Sequence, residues 1–191
     1  MDFPFSVNYN RKLKPSTWKA FVLKLATKYK NEDEFRAELF KLYNNKEEKR
    51  NTDIIAKSPF SPINRRMYKQ TYYGITQVIV PLLISKKFLF LPFHKYQDHK
   101  SCIIEICPAS FLKKHNKYKS YKGKKSDSEK KTRRAEIIEY LKKYYLKYSL
   151  EISPKYSQII IDDAEGDALD SLLAVFCILE ANQHKTKNDF E

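Results

Sequence analysis

The sequence predicts a mixed α/β domain, and three observations carry that expectation. Two β-like runs, KKFLFLPF and SCIIEIC, lie in mid-chain. Segments on either side of them repeat apolar residues at helical spacing. The chain has 191 residues, 42% of them apolar, which is enough for a substantial core. No apolar run approaches the length of a membrane span. No linker long enough to divide the chain stands out, so we expect one domain over 1–182 and a polar tail over 183–191.

The elements follow in order. MDFPFSVN is β-like up to Pro4 and then becomes a loop. Ser16 or Thr17 can cap a helix that carries Trp18, Phe21, Val22 and Leu25 on one face. Asn31 caps a second helix, with Glu34 completing a capping-box-like pattern and Phe35, Leu39, Leu42 and Tyr43 as its stripe. KEEKRNTD reads as a polar connection. A helix is predicted over 64–83, with Pro81 ending or kinking it. After the two strand-like runs, PASFLKKH forms the first turns of a helix. An amphipathic helix then bears Ile137, Ile138, Leu141, Tyr144 and Tyr145, and beyond ISPKYSQIII the last helix is expected from about Asp163. Two or three strands are few to cover so many helices.

Composition narrows the function. Three cysteines without metal-like spacing point to reduced thiols and a cytoplasmic protein. Lys and Arg number 37 against 23 acids, a net charge of +14. Residues 113–134 hold eleven of these cations and two acids, a local +9 that leaves +5 elsewhere (14 − 9). Tyrosines are interleaved there, in KYKSYKGKK. Such a stretch favours a polyanion, nucleic acid ahead of a membrane surface, and is equally consistent with a solvated loop.

Four carboxylates stand at the edges of apolar elements: Asp2, Glu105, Asp167 and Asp170. Glu105 shares a strand face with Ile103 and Cys107. Asp167 and Asp170 lie about 60° apart on a helix wheel. Acids gathered at a sheet end repel one another unless a cation neutralises them, and all-oxygen ligands suit Mg²⁺ or Mn²⁺. Two such ions can activate water against a phosphodiester. Each acid also has a plain structural reading: Asp162 or Asp163 as a helix cap, Asp167 as a first-turn acid, Glu105 paired with Arg65, Arg66 or a lysine, and Asp2 as a turn residue. No histidine pattern supports zinc, and no glycine-rich phosphate loop exists.

The motifs DFPFS at 2–6, SPINRRMYKQT at 61–71, IIEICPASF at 103–111 and GDALDSLLAVF at 166–176 occur in an order that resembles a family of predicted nucleases, domain of unknown function 429. The resemblance implies a ribonuclease H-like α/β fold, a mixed sheet flanked by helices, here without the family's N-terminal β-hairpin and its aspartate. It implies a metal-dependent nuclease, or an inactive relative of one. Glu105, Asp167 and Asp170 would ligate Mg²⁺ or Mn²⁺, with Asp2 in support. Lys119, Lys122, Lys124, Lys125, Arg133 and Arg134 would hold the phosphate backbone. Asn8, Cys107 and Ser171 depart from the family pattern of proline, histidine and alanine. The alternative is a non-catalytic nucleic-acid-binding module. Another is an interaction protein whose sheet is completed by a second chain or, in a homodimer, by a second copy.

Overall fold

A computed structural model describes residues 1–8, 17–123, 127–144 and 151–184. The chain is α/β, mostly helical, with a two-stranded parallel sheet. Its described residues form two compact units that meet in sequence at Cys107 and Pro108, a junction with no linker-like composition. Each unit has its own apolar core.

The first unit opens with an extended segment, followed by α1 (Trp18–Lys28) and α2 (Glu32–Leu42). Their caps are those expected. Thr17 Oγ1 accepts from the Ala20 N–H at 3.1 Å, and Asn31 Oδ1 accepts from the Glu34 N–H at 2.9 Å. Glu34 in turn accepts from the Lys30 N–H, one residue before the cap. KEEKRNTD is not merely a connection, because it ends in the short helix α3 (Asn51–Ile55).

The helix expected over 64–83 starts later and ends later. It runs as α4 (Tyr68–Tyr73), a π-helical stretch (Gly74–Ile79) and α5 (Val80–Ser85). Pro81 does not end it. The change of register places Pro81 in the first turn of α5, where a missing N–H costs little. The helix ends instead at Lys86, in the left-handed region at φ 58°.

Strand β1 (Phe88–Leu91) pairs in parallel with β2 (Ser101–Ile104), Phe88 opposite Ser101 and Leu91 opposite Ile104. Only residues 92–100 connect them, with no crossover helix. On β2's other side, the Met1 ammonium donates to Ile104 O at 3.0 Å and the Ile106 N–H donates to Met1 O at 2.9 Å. That is a parallel bridge centred on Glu105. The mixed sheet of a ribonuclease H-like domain does not occur among the described residues. The helices instead bury their faces on one another, so two short strands suffice. In the first unit Phe5, Val22, Leu25, Phe35, Leu39, Ile75, Ile79 and Phe90 fill the core.

The second unit is helical: α6 (Pro108–Lys114), α7 (Asp127–Tyr144), α8 (Pro154–Asp162) and α9 (Asp167–His184). The stretch ISPKYSQIII, read from sequence as a lead-in, forms α8, with Ser153 as cap and Pro154 in the first turn. Helix α9 begins at Asp167 rather than near Asp163, because Gly166 lies in the left-handed region at φ 75°. It also runs through His184, into the stretch expected as tail; residues 185–191, like Tyr145, lie outside the described part. Leu112, Ile138, Leu141, Leu169, Leu173 and Phe176 form the core.

Gly74 offers a stability test within the first unit. A Cβ there would fall on the Phe3 ring, 2.7 Å from Cγ, so the whole ring must move. Gly74→Ala gains up to about 1 kcal/mol in helix propensity, against about 1–3 kcal/mol for overpacking. We expect net destabilisation in urea melts. In a Phe3→Ala background the same change is expected to stabilise.

Candidate functional site

Glu105 lies one residue beyond β2 and is half-buried. Its partner is Arg50, just ahead of α3 and only 8% exposed. The guanidinium grips the carboxylate with two bonds, 2.8 Å to Oε2 and 2.5 Å to Oε1. It also binds Asp53, itself buried, at 3.0 Å through Nε and at 2.6 Å through a terminal nitrogen. Asp53 further accepts from the Arg50 N–H, and Glu105 from the Phe5 N–H at 2.8 Å. Burial works against the Arg50 charge, but hydrogen bonds to Glu105 and Asp53 outweigh it and raise its pKa further. Glu105 thus has the structural ion pair that its strand-end position allowed, with Arg50 rather than Arg65 or Arg66.

Asp2 is exposed, and its carbonyl accepts from Gln70 Nε2 at 2.8 Å.

In the second unit, residues 121–123 lie against the start of α9. The Gly123 N–H donates to Ala164 O at 2.9 Å. Gly166 permits this approach, since a Cβ there would meet Lys122 Cγ at 2.8 Å and the Tyr121 ring at 3.2 Å. Tyr121, 3% exposed, donates its hydroxyl to Asp170 at 2.5 Å. Lys122 Nζ lies 2.5 Å from Asp170 and 3.3 Å from Asp167. Asp170 is half-buried, whereas the Asp167 side chain is 82% exposed. Asp163 accepts from the Ala168 N–H at 2.8 Å, and that bond leads the causes that lower its pKa. It serves the α9 terminus from outside the helix.

Arg134 requires a correction. Expected at a phosphate, it is fully buried and cannot reach one. Its Nε donates to Ile161 O at 2.7 Å and a terminal nitrogen to Tyr121 O at 2.9 Å. It ties the end of α8 to the 121–123 loop. Arg133 is half-buried and pairs with Glu136 at 2.6 Å. Lys119 is exposed, as are Lys117 and Tyr118 beside it. Lys124 and Lys125 lie outside the described residues.

Among the described residues, no group of three or more His, Cys, Asp or Glu is placed to hold a metal ion. Glu105 belongs to the first unit and Asp167 and Asp170 to the second, and each acid meets a cation of its own unit. Asp167 and Asp170 share Lys122, so a cation held there would have to displace its ammonium. Sequence reasoning missed Arg50 and the role of Tyr121; the Arg50/Asp53 spacing of three residues was the available signal. No helix among the described residues is long and apolar enough to cross a membrane. No protein-family model, curated protein or solved structure matches the chain.

Two measurements follow from these ion pairs. Glu105→Gln should lower stability by about 2 kcal/mol, below the ~3–5 kcal/mol of a wholly buried pair; Asp167→Asn should change it by under about 0.5 kcal/mol. Denaturant midpoints distinguish the two. Burial opposes the Lys122 charge, yet its bonds to Asp170 and Asp167 raise its pKa above 10.5. Its contribution is therefore complete below pH 10.5 and lost as pH rises through the raised value. The stability gap between wild type and Lys122→Met should be constant from neutral pH, where Asp170 and Asp167 are ionised, up to about 10.5, and should close above it.

Proposed function

We infer that the protein is a cytoplasmic, non-catalytic nucleic-acid-binding module whose distinctive acids serve its fold. The observation that carries this reading is the contrast between those acids and the basic surface. Glu105 is held by Arg50, and Asp167 and Asp170 by Lys122, while Lys117, Tyr118 and Lys119 stand exposed in sequence. A net charge of +14 attracts a polyanion at long range, and exposed lysines exchange counterions for phosphates. Tyr118 adds an aromatic surface, 45% exposed, beneath the Lys113 ammonium. The cytoplasmic location draws support from Cys102, Cys107 and Cys177, all half-buried thiols.

A ribonuclease H-like metal-dependent nuclease is the second reading, and two observations favour it. Met1 pairs beside β2 where a further parallel strand would run. Lys122 holds two carboxylates at once, a place where Mg²⁺ or Mn²⁺ would compete with an ammonium.

Binding to labelled DNA and RNA in EDTA, with salt varied, separates the readings. The module should bind in EDTA and weaken at least about tenfold between 50 and 200 mM salt. Lys117→Glu with Lys119→Glu should weaken it further, and Glu105→Gln should not. Absence of binding refutes the module; cleavage that needs Mg²⁺ or Mn²⁺ and is lost in Asp170→Asn establishes the nuclease.

A further inference from the structure

The 92–100 connection carries an aromatic ladder that none of the expected sites includes. Trp18, at the start of α1, stacks on Phe93 with ring centroids 4.4 Å apart and planes 3° from parallel. Behind Trp18 stands buried Phe90, centroids 5.3 Å apart, and His94 meets the indole edge-on at 5.8 Å. The ladder therefore runs from the core outward through Phe90, Trp18 and Phe93. Phe93 is 39% exposed. Trp18 stacks on one of its faces.

The ladder is held firmly. The Trp18 indole N–H donates to Phe5 O at 2.9 Å. The His94 N–H donates to Phe90 O at 2.8 Å, and the Phe90 N–H donates to His94 Nδ1 at 3.1 Å. This reciprocal pair closes the turn that presents Phe93. It requires an unprotonated Nδ1, and burial, with Lys19 and Lys100 close enough to add to it, lowers the imidazole pKa.

The surroundings are cationic. Lys19 follows Trp18, Lys95 lies two residues beyond Phe93, and Lys100 ends the connection. Asp98, the one acid in 92–100, accepts a hydrogen bond from Tyr96. The first turn of α1 contains no acid, so its positive dipole end adds to the field. A stacked aromatic ring in a lysine-rich segment, with Lys19 and Lys100 close enough to act on the neighbouring His94, matches a ligand that is both planar and polyanionic. Duplex nucleic acid hides its base faces in the stack; a single strand presents them.

We propose that Phe93, backed by Trp18, is a stacking platform for an unpaired base, with Lys19, Lys95 and Lys100 receiving the flanking phosphates of single-stranded nucleic acid. This rests on the nucleic-acid reading above and specifies its substrate. Base–aromatic stacking tolerates any base, so the platform selects strandedness rather than sequence.

Trp18 is the only tryptophan and therefore reports on the platform directly. The full chain is titrated with oligodeoxythymidylate, the matching duplex, and heparin as a polyanion without bases. Oligodeoxythymidylate should bind most tightly and quench Trp18; heparin should bind without quenching. By anisotropy of the labelled oligonucleotide, Phe93→Ala should weaken the single strand about tenfold and leave heparin affinity unchanged, while Phe93→Trp should retain binding. A circular-dichroism melt checks folding, and Phe93→Leu replaces the alanine variant if that one unfolds. Unchanged oligonucleotide affinity without an aromatic at 93, or equal quenching by heparin, overturns the platform alone. Failure to bind any nucleic acid overturns the function reading with it.

Discussion

A single buried guanidinium ties the first unit together. Arg50 gathers Asp53 from the helix that follows it and Glu105 from just beyond β2, while Glu105 also takes the Phe5 N–H. Three segments distant in sequence thus share one charge cluster. Burying these charges is expensive, and the arrangement persists because each of the five donors of the planar fork has an acceptor, Ser6 Oγ taking the one that the carboxylates leave. A lysine would supply one ammonium where this geometry needs a fork. Arg134 plays a similar part in the second unit, with main-chain carbonyls in place of carboxylates.

What sequence could reveal divides along physical lines. α1 and α2 were legible because their caps and apolar stripes are local signals, and the two strands because short runs rich in Phe, Leu and Ile stand out between polar stretches. KEEKRNTD hid α3 and Arg50, since burial through ion pairing leaves no hydrophobic pattern. The isoleucines of α8 masked a helix that its Ser153–Pro154 start signalled. The π-helical register around Gly74 leaves no periodic trace either. Of the candidate acids, position at an element's edge was readable; which cation each meets was not, because that depends on contacts between 45 and 55 residues apart.

The acids and the aromatic ladder illustrate opposite economies. At Glu105 and Asp170 the chain pairs its acids with its own cations. At Phe93 it leaves a large ring 39% exposed, stacked on Trp18. Rigid aromatic presentation lowers the entropy lost on binding. Exposure of apolar area where solubility disfavours it is more informative than a motif of buried acids.

The pairing of Met1 with Ile104 and Ile106 also orders events during synthesis. The Met1 and Phe5 contacts span 103 and 100 residues, so the opening segment must wait until the end of β2 has emerged from the ribosome. Phe5 belongs to the core, and Arg50 meets Glu105 only at that moment. Until then α1 and α2 carry a core without its lid. Long-range closure of this kind slows folding and prolongs exposure of apolar surface. The last contacts to form on the growing first unit are thus those of its first residues.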